Sequence, residues 1–336
     1  MNSFEEFLDR VEKISDENHI LKNNVNNKIY LNRMHQLLME LEKVTSKKQV
    51  DDFLDSKLLF KQKFNLNTYM QGIVEFAVCT GCNHAYPDKF IYEKSYSGKT
   101  NVDCSFEFNN IVEAHRTINV EVKCPSYGAN ERKKIVTLNR LTDEQYRNLI
   151  RNPELKKRRD LRLKEYLQSA QKKFEQTPND HINILLIGLD NEVDMMEWMH
   201  YLIASEDGMI RCPEVYGIKF QDFNRVDAVF ITDLYIRHKD PKKIFCILGE
   251  SYTFGISNDE SKLNKVLKEV DLDDKSNFLK NSTEFQKYNL IILSELFNNL
   301  MCDFINFSSS KNNYWEKEVA LLNFIQEKNS YLKKYF

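Results

Sequence analysis

The chain has 336 residues and a formal net charge of −2, more than one average domain and enough to bury a sizeable core. With 22 Phe and 16 Tyr against 9 Gly and 6 Pro, the composition excludes a disordered, collagen-like or linker-rich chain. The charge is unevenly spread: residues 132 to 173 hold 14 Lys or Arg and 5 Asp or Glu, a local net of +9 that leaves −11 for the rest.

In chain order, the first 66 residues read as helical. Ser3 and Glu6 have the spacing of a capping box, and Phe4, Phe7, Leu8, Val11 and Ile14 follow at helical spacing. A second helix carries Tyr30, Met34, Leu37, Leu38, Leu41 and Val44 on one stripe, and a third covers Gln49 to Phe60. These helices read as a lid or scaffold with nothing catalytic in them. From Thr68 to Cys79 the chain is almost wholly apolar, and Glu75 is its one charge. Strands are predicted over Lys89 to Tyr96, Val102 to Phe108 and Thr117 to Lys123. A basic helical region then runs from Thr142 to Gln176, broken near Pro153. Ile182 to Leu189 reads as a buried strand. A helix over Val193 to Ala204 and a strand over Ala228 to Tyr235 extend the order. From about Ser261 the chain turns helical again.

Seven cysteines, an acidic amphipathic start and no apolar run of bilayer length predict a cytoplasmic, thiol-reduced protein without a membrane segment. Cys79-x-x-Cys82 with His84 has a zinc-like look, but no second such pair exists. Buried thiols are the simpler expectation.

The sharpest local signal is Val120-Glu121-Val122-Lys123. In a strand, residues two apart share a face, so Glu121 and Lys123 point one way while Val120 and Val122 point into the sheet. Alone this is a common surface pair. The preceding strand adds Asp103, and pairing of the two strands would bring Asp103 and Glu121 to one end of the sheet. Two close carboxylates repel each other unless a cation sits between them. Oxygen ligands suit Mg²⁺, with Mn²⁺ as a substitute. The backbone carbonyl of Val122 is a further candidate ligand.

An Asp followed about twenty residues later by Glu-x-Lys, in helix–strand–strand–strand–helix–strand order, resembles the PD-(D/E)XK nuclease superfamily. The resemblance covers about Asn67 to Leu189. It matches Asp103, Glu121 and Lys123 to the motif, and Glu75 to the acidic residue many members carry on the first helix. Val102 stands where the motif's name has Pro, and Pro87-Asp88 precedes the first strand as a turn. No Gln-x-x-x-Tyr element follows Lys123. Gln168 and Gln171 lie near the right place, but their spacing to an aromatic is wrong.

The resemblance implies an α/β fold with a restriction-endonuclease-like αβββαβ core and mixed sheet over residues 67–255. Helical regions flank it at 1–66 and 256–336. It implies a Mg²⁺-dependent nuclease in which Asp103, Glu121, Lys123 and Glu75 are catalytic, and Asp103, Glu121, Val122 and Glu75 hold the metal. DNA is the expected partner, with a homodimer or partner protein left open. Arg132, Lys133 and Lys134 after the third strand, and Lys156, Lys157, Arg158 and Arg159, are expected to contact backbone phosphates. A solvated charged helix would carry the same residues. The alternative function is a non-catalytic module of the same fold that binds nucleic acid or protein. His115, Glu107 and Glu113 lie near the expected site; Glu107, which shares strand parity with Asp103, is a supporting candidate.

Overall fold

The structure, a computed structural model, describes residues 3–85, 89–96, 98, 100–108, 116–125, 160–189, 198, 201–202, 209, 213–232 and 251–255. The expected helices after 256, the start of the basic region at 126–159, and most of Val193 to Ala204 lie outside them.

Four helices come first. In α1 (Phe4–Glu12), Phe7 and Val11 are buried, and the Ser3 hydroxyl accepts from the Glu6 N–H at 3.1 Å. The short α2 (Ile20–Asn23) is capped by His19. In α3 (Lys28–Val44), Tyr30, Met34, Leu37, Leu38 and Leu41 turn inward as the stripe predicts, but Val44, its last member, is exposed at the helix end. Helix α4 (Lys47–Ser56) begins earlier than expected because Ser46 and Gln49 close a reciprocal capping box.

Helix α5 (Leu66–Ala85) has 20 residues and outruns the expected Thr68 to Cys79. The Asn65 side chain starts it by accepting from the Thr68 N–H at 3.0 Å. It continues past Thr80 because that hydroxyl donates back to the Phe76 carbonyl at 2.8 Å, so a polar residue stays satisfied inside the helix. Its flanks are buried almost all round: Tyr69, Ile73, Val74, Phe76, Ala77 and Val78 are fully enclosed. Each large side chain buried in this way contributes about 1.5–3 kcal/mol.

Beyond α5 lies a six-stranded mixed sheet with strand order β1-β2-β3-β4-β5-β6. The strands are β1 (Ile91–Tyr92), β2 (Cys104–Phe108), β3 (Arg116–Lys123), β4 (Ile182–Gly188), β5 (Ala228–Thr232) and β6 (Ser251–Gly255). The pairs β1–β2, β2–β3 and β5–β6 are antiparallel; β3–β4 and β4–β5 are parallel. Helix α6 (Asp160–Phe174) lies between β3 and β4 in the chain, as a parallel pair requires of its crossover. The architecture is α/β.

Strand β1 is far shorter than the predicted Lys89 to Tyr96. Lys89 and Glu93 adopt left-handed backbone conformations, with φ of 59° and 46°, which takes the chain out of strand geometry on both sides. Strand β6 was not foreseen, although Ser251-Tyr252-Thr253-Phe254 has the aromatic and β-branched content of a strand.

The two faces of the sheet bury different partners. Ile118, Val120, Val122, Ile184, Leu186 and Phe230 pack with α5, and the N-terminal helices join the same core. The N-terminal helices and the sheet thus share one hydrophobic interior. On the other face, Leu185, Ile187, Val229 and Ile231 pack with Leu163, Leu167 and Phe174 of α6. Among the described residues no helix is long and apolar enough to cross a membrane.

Candidate active site

The site forms where β2 and β3 part. Their ladder runs from Phe108 opposite Arg116 to Cys104 opposite Val120, and ends there. One residue further on, Asp103 stands where the partner of Glu121 would be. Its Oδ2 accepts from the Val122 N–H at 2.7 Å, in place of a ladder carbonyl. From α5, Gln71 donates through Nε2 to the Val122 carbonyl at 2.8 Å and accepts through Oε1 from the Cys124 N–H at 2.7 Å. Side chains thus finish the hydrogen bonding of a strand that has run past its neighbour, where buried backbone groups need partners.

Glu121 is fully buried, at 0% exposure. Its Oε1 lies 2.6 Å from the Lys123 ammonium, two residues along the same face, as the strand period predicts. Its Oε2 lies 2.6 Å from the ammonium of Lys173 on α6. The Lys173 nitrogen is also 4.0 Å from Asp103 Oδ1, so it bridges the two carboxylates.

Glu75 approaches from α5 and is buried as well. Lys57, just after α4, pairs with Glu75 Oε1 and lies 3.2 Å from Glu93 Oε1. The Tyr92 hydroxyl donates to Glu75 Oε1 at 3.3 Å and to Glu93 Oε1 at 3.2 Å. Gly72 permits this arrangement: a Cβ there would run into the Lys57 carbonyl, so the glycine lets that backbone lie against α5. The N-terminal region, expected to contain nothing of the site, thus supplies the cation that faces Glu75.

The electrostatics are those of carboxylates crowded in a dry place. Burial first, then Glu75 and Glu121, push the Asp103 carboxyl well above the aspartate range; Lys173 and the Val122 N–H offset only part. Burial likewise raises the Glu75 carboxyl against the pull of Lys57. For Lys123, burial disfavours the charge but Glu121 outweighs it, and its ammonium is held above the ordinary lysine value. Lys57 behaves in the same way towards Glu75.

Asp103, Glu121 and Lys123 are therefore brought together at the end of β3, and Glu75 is electrostatically coupled to both acids across the site. The Val122 carbonyl, a candidate ligand, already accepts from Gln71 and has one further lone pair. Glu107 pairs with Lys89 at 2.5 Å, on the stretch of β2 that leads away from the site. Arg132, Lys133, Lys134, Lys156, Lys157, Arg158 and Arg159, with Glu113 and His115, lie outside the described residues. Cys79, Cys82, Cys104 and Cys124 are free thiols. Cys79 is kept protonated by its hydrogen bond to Cys104 and by burial. Gln171 does other work: it is buried against the Arg225 N–H and Asn224.

Gln71, Lys57 and Lys173 were not foreseen. Only Gln71 had a signal, since it lies four residues before Glu75 on one face of an otherwise apolar helix.

Among the described residues no group of three or more His, Cys, Asp and Glu side chains is arranged to hold a metal ion. The donor set nevertheless fits a hard divalent cation that takes two carboxylates and completes its shell with water, as Mg²⁺ does. Asp103 and Glu121 are oxygen ligands whose mutual repulsion such an ion would relieve. No family model, curated protein or solved structure matches this chain.

Proposed function

We propose that the chain is a metal-dependent nuclease that hydrolyses phosphodiester bonds of DNA. Its α5–β1–β2–β3–α6–β4 segment would be a restriction-endonuclease-like core of the PD-(D/E)XK type. The observation that carries the reading is the meeting of Asp103 and buried Glu121 at the open end of β3, with the Lys123 ammonium 2.6 Å from Glu121. An aspartate carboxyl pushed well above its ordinary range beside a second buried acid marks a functional site more than a structural one.

Asp103 and Glu121 would hold Mg²⁺ or Mn²⁺, with the Val122 carbonyl and a Glu75-bound water as further contacts. A bound divalent ion supplies Lewis acidity towards a phosphate oxygen and a more acidic water. Lys123 orients the attacking water and stabilises the charge that builds on phosphorus. Gln71 and Asp103 fix the backbone between Glu121 and Lys123, so that both side chains stay aimed at one point. Arg132, Lys133 and Lys134, and the Lys156 to Arg159 run, would bind backbone phosphates without reading sequence. Restriction, anti-phage defence or a mobile element is the setting we propose, on fold analogy alone.

A second reading is a non-catalytic module of the same fold. It is favoured by the lysines already seated on the acids: Lys123 and Lys173 on Glu121, and Lys57 on Glu75. The deciding experiment incubates supercoiled and linear DNA with Mg²⁺, Mn²⁺ or EDTA, and compares wild type with Asp103→Ala and Lys123→Ala. Metal-dependent cleavage lost in both variants is the expected result. No cleavage by a wild type that also fails to bind Mn²⁺ would leave the module as the better account.

A further inference from the structure

We propose that Lys173 is an exchangeable occupant of the metal seat: its ammonium bridges Asp103 and Glu121 in the free protein and leaves them when a divalent cation binds. The inference rests on the nuclease reading only in placing the cation between those two acids. Lys173 Nζ is 2.6 Å from Glu121 Oε2 and 4.0 Å from Asp103 Oδ1. A single positive charge therefore already stands between the two carboxylates that would share a metal.

The three lysines of the site differ in what ties them there. Lys123 is on the same strand as Glu121, and the strand geometry keeps it within reach however the site is filled. Lys57 faces Glu75 and Glu93 on the α5 side. Lys173 alone arrives from a separate helix on a long flexible side chain, and it alone touches both Asp103 and Glu121. With 26% of its side chain exposed, it has solvent to move into, so it can swing off without unpacking α6. The contacts that hold α6 are independent of it: Leu163, Leu167 and Phe174 are fully buried against the sheet, and Gln171 bonds to Arg225 and Asn224.

The exchange has a purpose the geometry makes plain. Without a cation, two buried acids and no bridge would destabilise the end of β3. With Lys173 in place, the two acids stay bridged. Once displaced, the ammonium remains beside the site, where an incoming phosphate would be the nearest anion.

The test uses the full-length protein and two measurements that do not depend on cleavage. Mn²⁺ affinity is measured by calorimetry for wild type, Lys173→Met, Lys173→Gln and Lys173→Arg. Removing the competing charge should tighten Mn²⁺ binding about fivefold or more in the Met and Gln variants, the scale of losing one partly buried ion pair. Arg, which keeps the charge, should stay near wild type. Amine acetylation is then followed residue by residue by mass spectrometry, with and without saturating Mn²⁺. Lys173 should become more reactive with metal, while Lys57 does not. Unchanged Lys173 reactivity at saturation, weaker Mn²⁺ binding in both neutral variants, or no Mn²⁺ binding by any of the four proteins would each overturn the exchange. Exchange without DNA cleavage would leave this inference standing and remove the nuclease reading instead.

Discussion

Strand β3 carries two buried polar clusters on the same face, and they are built on opposite principles. Around Asn119 the groups are mostly neutral and matched donor to acceptor. The Tyr96 hydroxyl donates to Asn119 Oδ1 at 2.6 Å, and Asn119 Nδ2 donates to Asn183 Oδ1 at 2.9 Å. Asn183 Nδ2 donates to the Arg225 carbonyl at 3.0 Å, and Thr177 donates to Asn183 Oδ1 at 3.1 Å. Two residues along, Glu121 and Asp103 are ionisable groups set among lysines, and burial raises the Asp103 carboxyl. The first cluster is satisfied and therefore holds the fold. The second is crowded: burial and the neighbouring acids act against the Asp103 carboxylate, and Lys173 offsets only part of that. The face of a strand can thus change from scaffold to site within a single pleat.

The contrast predicts opposite behaviour under mutation. Asp103→Asn should lower metal-dependent cleavage about 10²–10³-fold, the scale of losing one charge-stabilising group. Its stability in urea should stay within about 1 kcal/mol of wild type or rise, because a repelled buried charge has gone while the bond to the Val122 N–H survives. A stability loss as large as that of an Asn183 variant would break the contrast. Asn183→Ala should do the reverse. It removes three side-chain hydrogen bonds at 0% exposure and should cost roughly 3 kcal/mol, read from the urea midpoint, with Mn²⁺ affinity little changed. Gly72→Ala should fall between them, costing about 1–3 kcal/mol by overpacking against the Lys57 backbone and loosening the Lys57–Glu75 pair. Both the urea midpoint and the Mn²⁺ affinity should move.

The smallest effect is a control outside both clusters. His19 Nδ1 accepts from the Leu21 N–H, so Nε2 carries the proton that meets the Leu58 carbonyl at 2.7 Å. Burial lowers this imidazole below its ordinary 6.5. The unfolded chain then binds a proton more readily than the folded one, so stability is lost as pH falls from about 6.5 towards the lowered folded value. Thermal scans of wild type and His19→Gln across that window should show a shallower slope in the variant, which keeps the share of His35, also lowered by burial. Equal slopes would assign the effect elsewhere.

Period and composition made the centre of the molecule legible. Alternation placed Glu121 and Lys123 on one face, an apolar run marked β4, and an almost unbroken apolar helix singled out Glu75. What was not legible depends on single backbone events or distant partners. Left-handed Lys89 and Glu93 cut β1 to two residues, and no period announces that. Lys57 reaches Glu75 only because residue 72 is glycine. Lys173 belonged to a basic stretch that looked like a phosphate-binding surface, yet its ammonium turns inward to Glu121. Charge counting finds such a residue but cannot say which way it points.

The distances along the chain between these partners predict an order of assembly. Asp103 and Val122 are 19 residues apart, within one hairpin, whereas Lys173 meets Glu121 across 52 residues and only after the parallel β3–β4 crossing has formed. Local contacts form early and long crossovers late. A folding intermediate with the hairpin closed would therefore bring two acids together with no Lys173 between them. The β2–β3 pair should consequently zip from its Phe108–Arg116 end and stay frayed at the Asp103 end until α6 docks. The cluster of acids and lysines at the end of β3 is then the last part of the sheet to close, and a nascent chain still short of α6 would hold Asp103 and Glu121 without the Lys173 bridge.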